Sequence, residues 1–103
     1  MAGATMKAIA IPVPGPYDAL VLEERPRPSP AGRQVLVRVH AAGVNRPDVF
    51  QRLGNYPPPP GAPDIPGLEI AGEVAALGPE ASTFSVGDTV TALVPGGGYA
   101  EYC

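Results

Sequence analysis

Gln34-Val-Leu-Val-Arg-Val-His40-Ala-Ala-Gly-Val44, running straight into Asn45-Arg-Pro-Asp48-Val-Phe-Gln-Arg-Leu53-Gly54-Asn55, is the stretch on which the fold turns. In its first half Val35, Val37 and Val39 alternate with Leu36, Arg38 and His40. That period of two puts the two sets on opposite faces of a β-strand. Gly43 then loosens the backbone, and the alternation ends. Pro47 suits the first turn of a helix, Asp48 favours the positive end of its dipole, and Asn45 or Arg46 precedes it. Gly54 and Asn55 stop it. A helix over Pro47–Leu53 is too short to persist on propensity, so tertiary contacts must hold it.

Outward from this stretch the chain reads as short extended segments between tight turns. Lys7–Val13 is an apolar strand closed by Pro14-Gly15-Pro16, and Ala19–Glu24 is a second strand. Arg25-Pro-Arg-Pro-Ser-Pro30 is barred from helix and from central strand, because proline has no backbone donor. Pro57–Pro60 and Gly61 form a stiff segment pre-set near polyproline geometry. Strands follow over Ile70–Leu77, turned by Gly78-Pro79, and over Thr89–Val94. After Gly96-Gly97-Gly98 an extended aromatic pattern resumes at Tyr99–Cys103. About six strands and one short helix joined by tight turns pack most naturally as a partly open antiparallel barrel.

The 103 residues suffice for one small domain. Gly and Pro number 13 and 15, a level that approaches disorder, but 45% hydrophobic content with a net charge of −3 argues for an ordered, loop-rich β domain. Seven basic residues against ten acidic ones leave no basic footprint for nucleic acid. No apolar run approaches the ~20 residues of a membrane helix. The single cysteine, Cys103, excludes an internal disulfide framework and a cysteine-based zinc knuckle. Met1–Lys7 lacks the basic start and apolar centre of a secretory leader, so a cytoplasmic setting is the expectation. Met6 could be an original start, which makes Met1–Thr5 a candidate flexible extension.

Four motifs in order are more particular than their composition: Ala41–Gly61, with Asn45-Arg-Pro-Asp48 and Tyr56-Pro-Pro-Pro-Pro-Gly61; Gly67-Leu68-Glu69-Ile-Ala-Gly72-Glu-Val74; Val86-Gly87-Asp88-Thr-Val90; and Gly97-Gly-Tyr-Ala-Glu101-Tyr102. Together they resemble the N-terminal, GroES-like half of the medium-chain dehydrogenase/reductase superfamily. Within it they look most like the zinc-free, NADPH-dependent quinone oxidoreductases of the p53-inducible type. The resemblance covers roughly Lys7 to Cys103.

It implies that residues 1–103 are the N-terminal portion of a substrate-side domain whose Rossmann partner lies beyond them. It implies hydride transfer from NADPH to a quinone or another activated carbonyl or alkene, in a homodimer or homotetramer. The zinc-dependent relatives carry a metal-binding cysteine where this chain has Asn45 and a metal-binding histidine where it has Leu68. An amide and an isobutyl group cannot replace those ligands, and Glu69 alone does not hold zinc, so no metal is expected. His40 precedes the motif and reads as a surface or packing residue.

Tyr56 matches the family tyrosine beside the nicotinamide and the substrate, and its phenol can donate without ionising. The alternative for Tyr56 is an aromatic plug over the proline loop. Asn45 can donate through its amide and orient substrate or cofactor. Arg46 and Arg52 are candidate contacts for cofactor phosphate or, more simply, solvate the helix. Asp48 and Glu69 read as an acid/base pair or, more simply, as a helix cap and a loop-fixing carboxylate paired with a nearby cation. No Gly-x-Gly-x-x-Gly turn is present to seat a pyrophosphate, and Gly96–Gly98 lacks the strand-to-helix context of a phosphate loop. The chain alone is therefore expected to be inactive. An enoyl reductase of the same superfamily and a non-catalytic GroES-like binding module are the competing readings.

Overall fold

A computed structural model describes residues 3–103. Strand β1 (Thr5–Ala10) pairs antiparallel with β2 (Val21–Pro26), with Thr5 opposite Pro26 and Ala10 opposite Val21. A second antiparallel sheet holds β3 (Val35–Ala42), β4 (Glu69–Leu77) and β5 (Thr89–Leu93) in that order. One helix, α1 (Arg46–Leu53), follows β3, and a single 3₁₀ turn spans Tyr17–Ala19.

The two sheets are joined by the C-terminal segment Tyr99–Cys103, which bonds on both sides. Toward β1, Ile9 N–H donates to Tyr99 O at 2.8 Å and Glu101 N–H to Lys7 O at 3.0 Å. Toward β3, Val37 and Cys103 exchange bonds at 2.7 and 2.9 Å, and Val39 N–H reaches Glu101 O at 2.8 Å. The outer edges of β2 and β5 carry no strand partner among the described residues, so the wall stays open there. The expected mainly-β, partly open architecture with one short helix is what the chain adopts. It uses five strands and a bridging segment, since Tyr99–Cys103 forms isolated bridges at Ala100 and Tyr102 rather than a sixth strand.

Burial explains the pairing. Met6, Ala8 and Ala10 alternate inward from β1, and Met6 and Ala8 cluster with Ile65, with Tyr99, Ala100 and Tyr102 packed against them. Each large apolar side chain removed from water contributes about 1.5–3 kcal/mol. In β4, Ile70, Gly72 and Val74 face inward, and Gly72 is bare because the Arg38 carbonyl lies where its Cβ would be.

Strict alternation fails in β3, where Leu36 and Val37 are both buried. A bulge between them shifts the register against β4, so Val35, Val37 and Val39 do not form the uninterrupted face that the spacing predicts. The first strand ends at Ala10 rather than Val13, and the second starts at Val21 rather than Ala19. Pro26 closes β2 on its edge, where a missing donor is tolerated. Of the extension expected over Met1–Thr5, Met1 and Ala2 lie outside the described residues. Ala4 O accepts Arg27 N–H at 2.9 Å, and Thr5 opens β1.

Helix α1 buries only Asp48, and Phe50 and Leu53 stay exposed. Contacts at its two ends hold it instead of an apolar face. At the C-terminal end Gly54 takes a left-handed conformation, φ 87°, that closes the last turn. Arg52 there accepts Gly15 N–H on its carbonyl at 2.9 Å and donates Nη1 to Gly15 O at 3.2 Å.

Candidate functional site

Asn45 ends the β3–α1 connection as the N-cap of the helix, in extended geometry with φ −129° and ψ 160°. Its side-chain Nδ2 donates to Glu69 Oε1 at 3.2 Å. Glu69 opens β4, and its carbonyl accepts Gly43 N–H at 2.9 Å, which brings the strand start against the connection. Gly43 makes the contact possible, because a Cβ there would collide with the Glu69 carboxylate. Glu69 thus fixes a loop, as one sequence reading held, but through the Asn45 amide; no cation pairs with it among the described residues. One amide hydrogen of Asn45 remains uncommitted.

Beneath Asn45 lies Asp48, only 6% exposed. Its Oδ2 accepts the Asn45 backbone N–H at 2.9 Å, and Tyr99 Oη donates to the same oxygen at 2.6 Å. Oδ1 is buried with no hydrogen-bond partner among the described residues. Burial, reinforced by the hydrogen bond to the Asp48 carboxylate, pushes the Tyr99 hydroxyl well above the ordinary phenol range. Asp48 is a helix-capping residue, in line with the simpler sequence reading. Tyr99 was not singled out from sequence, and the only available signal is its place after Gly97-Gly98 in the fourth motif.

The glycines before Tyr99 have a structural purpose. Gly97 and Gly98 N–H bond to Ile65 and Gly67 O at 2.7 and 3.0 Å, and Tyr99 N–H bonds to Pro66 O at 2.9 Å. Gly67, at φ 105°, passes so close that any Cβ would meet Tyr99 N at 2.6 Å.

Tyr56 stands past the other end of α1, half-buried. Nine residue steps of helix, roughly 13 Å, separate the Asn45 and Gly54 caps, so the two predicted catalytic residues occupy opposite ends of α1. Tyr56 lines a small cleft of about 200 Å³ with Gln51, Gly54, Pro57, Pro58 and Asp64. The proline loop is tied down at its far end by Asp64. Arg25 Nη1 and Nη2 reach the two Asp64 oxygens at 2.9 and 3.4 Å, and Gln51 Nε2 donates to Asp64 O at 2.8 Å. The Arg25 hydrogen bond lowers the Asp64 carboxyl below its usual range.

Arg46, the first residue of α1, is exposed, and so is His40 on β3. No group of three or more His, Cys, Asp or Glu that could hold a metal occurs among the described residues. Leu68 is half-buried, and its carbonyl accepts Val94 N–H at 2.9 Å. A larger apolar cavity of about 560 Å³ opens between the sheets against Met6, Leu36, Val37, Ile65, Ile70 and Tyr102; neither Asn45 nor Tyr56 lines it. No helix among the described residues is long and apolar enough to cross a membrane.

Residues 31–103 match the alcohol dehydrogenase GroES-like domain, and the chain belongs to that family. It is 46% identical over 76 residues to a quinone oxidoreductase of Homo sapiens, covering 73% of this chain and 23% of the relative. Among solved structures it superposes on the human synaptic vesicle membrane protein VAT-1 homolog-like protein with a TM-score of 0.88 and 34% identity, covering 97% of this chain and 32% of that one. A quinone oxidoreductase from Coxiella burnetii follows with a TM-score of 0.82 and 31% identity, over 96% of this chain and 34% of that one. The chain therefore spans about a quarter to a third of the length of these relatives.

Proposed function

We propose that this chain is the substrate-side portion of an NADPH-dependent quinone oxidoreductase that works without a metal. Relatives named quinone oxidoreductase support the reaction class. The observation that carries the reading is the Asn45–Glu69 hydrogen bond. At the position where zinc relatives bind metal through cysteine, this chain holds an amide in a fixed orientation.

Bound NADPH would supply the hydride. As it arrives, one quinone oxygen gains negative charge, which preorganised donors must stabilise. We assign that task to the Tyr56 phenol, and to the remaining Asn45 amide hydrogen, at the other end of α1, the orientation of substrate or cofactor. The Pro57–Pro60 support and the Arg25–Asp64 tie keep Tyr56 from wandering. Arg46, at the exposed start of α1, is the candidate contact for the cofactor. No strand-turn-helix with a Gly-x-Gly-x-x-Gly turn occurs among the described residues, so they fit the nicotinamide end and not the pyrophosphate. The chain by itself then binds NADPH weakly and turns nothing over.

The test is quinone reduction by the full-length protein carrying this sequence, with NADPH, against ortho- and para-quinones and a simple enone. Quinone turnover supports the proposal. Turnover of enones alone moves the assignment to an enoyl reductase, and no turnover with folded protein moves it to a binding module.

A further inference from the structure

Tyr99 and Asp48 lie 51 residues apart in sequence, yet the Tyr99 hydroxyl and Asp48 Oδ2 meet at 2.6 Å. Tyr99 belongs to the segment that joins the two sheets, so this bond anchors the start of α1 to the seam of the whole domain. The same Asp48 oxygen holds the Asn45 N–H at 2.9 Å, while Glu69 holds the Asn45 side chain at 3.2 Å. Asn45 is gripped by its backbone from one side and by its amide from the other.

Stability alone is a poor reason for this arrangement. A carboxylate only 6% exposed, with one oxygen lacking any protein partner among the described residues, carries a desolvation penalty. Removing the Tyr99 hydroxyl leaves Asp48 Oδ2 with the Asn45 N–H alone, and removing the Asp48 carboxylate leaves the Tyr99 hydroxyl only Gly43 O at 3.5 Å.

Resting on the functional reading of Asn45 above, we propose that Tyr99 and Asp48 are positioning residues, which set the direction in which Asn45 presents its free amide hydrogen. Neither touches substrate. Their effect passes through the N-cap backbone, where small displacements of a donor are costly to reaction geometry.

The experiment compares Tyr99→Phe, Asp48→Ala and Asp48→Asn in the full-length protein, well below each unfolding midpoint, with the Asn45 backbone amide proton followed by NMR. Tyr99→Phe and Asp48→Ala should lower kcat by about tenfold or more, with KM for the quinone within about twofold. The Asn45 amide proton should move upfield in Asp48→Ala as its charged acceptor is lost, and shift measurably in Tyr99→Phe. Asp48→Asn, which keeps an acceptor in place, should restore most of kcat. Variants that only unfold earlier, with wild-type kcat while folded, would overturn the proposal. Asn45→Ala separates the two readings. If that variant turns over normally, the catalytic reading of Asn45 fails, and the amide shift still decides: an unmoved Asn45 resonance in Tyr99→Phe and Asp48→Ala overturns the positioning pair.

Discussion

Glu69 Oε1 accepts the Asn45 side-chain amide at 3.2 Å, and its carboxylate lies over Gly43 where a Cβ would stand. Gly43 keeps an ordinary backbone conformation, since it is not among the positive-φ glycines. Its obstacle is the free end of an exposed side chain. Gly43→Ala should therefore cost less than about 1 kcal/mol in urea unfolding while displacing Glu69 from Asn45, visible as a shift of the Asn45 side-chain amide resonances. Gly67→Ala is the contrast. There the obstacle is the Gly98–Tyr99 backbone and φ is 105°, so a loss on the order of 3 kcal/mol is expected.

Tyr56 should matter to chemistry and little to folding. If its hydroxyl stabilises charge that develops only during hydride transfer, Tyr56→Phe lowers kcat and kcat/KM together. The expected loss is on the order of a hundredfold, about 3 kcal/mol. Steady-state kinetics on the full-length protein with an ortho- and a para-quinone measure it. Wild-type turnover would leave the ring as a plug over the proline loop.

Alkaline stability reports on Tyr99. Its folded-state phenol titrates above the ordinary value of 10.0, because burial and then the Asp48 hydrogen bond favour the neutral form. The contribution is complete below pH 10, where folded and unfolded chains are both protonated, and is lost as pH rises through the folded value. Denaturant midpoints should fall above pH 10, and Tyr99→Phe should flatten that fall while lowering the neutral plateau.

The Arg25–Asp64 pair gives the opposite sign at the other end of the scale. The Arg25 hydrogen bond holds the Asp64 carboxyl below its ordinary 3.8. Its contribution is present above that value and lost as pH falls through the folded one. The Asp64 side chain is 73% exposed, so Asp64→Asn should cost under about 1 kcal/mol at neutral pH. Thermal midpoints of wild type and variant should converge in acid.

Metal analysis checks the substitution of Asn45 and Leu68 for zinc ligands. After mild chelation, zinc at the Asn45 position should be far below one per chain, and quinone turnover of the full-length protein should be unchanged. One tightly held zinc whose removal abolishes turnover would refute metal-free transfer.

The sequence by itself determined the kind and order of the elements. The alternation around Val35–Val39, the Pro47–Asp48 start and the Gly54 stop are local signals, fixed by the side-chain period of a strand and by the unpaired groups at helix ends. It also marked Asn45 and Asp48 in one motif, and Glu69 in the next, as candidate site residues. What they bond to was decided in three dimensions. The bulge at Leu36–Val37 depends on the pairing with β4, which no local pattern in β3 encodes. The Asp48–Tyr99 and Arg25–Asp64 contacts join residues 51 and 39 positions apart, so they exist only once the chain has folded back on itself. Tyr56 and Asn45 read as one site along the chain, and the rigid length of α1 sets them at its two ends.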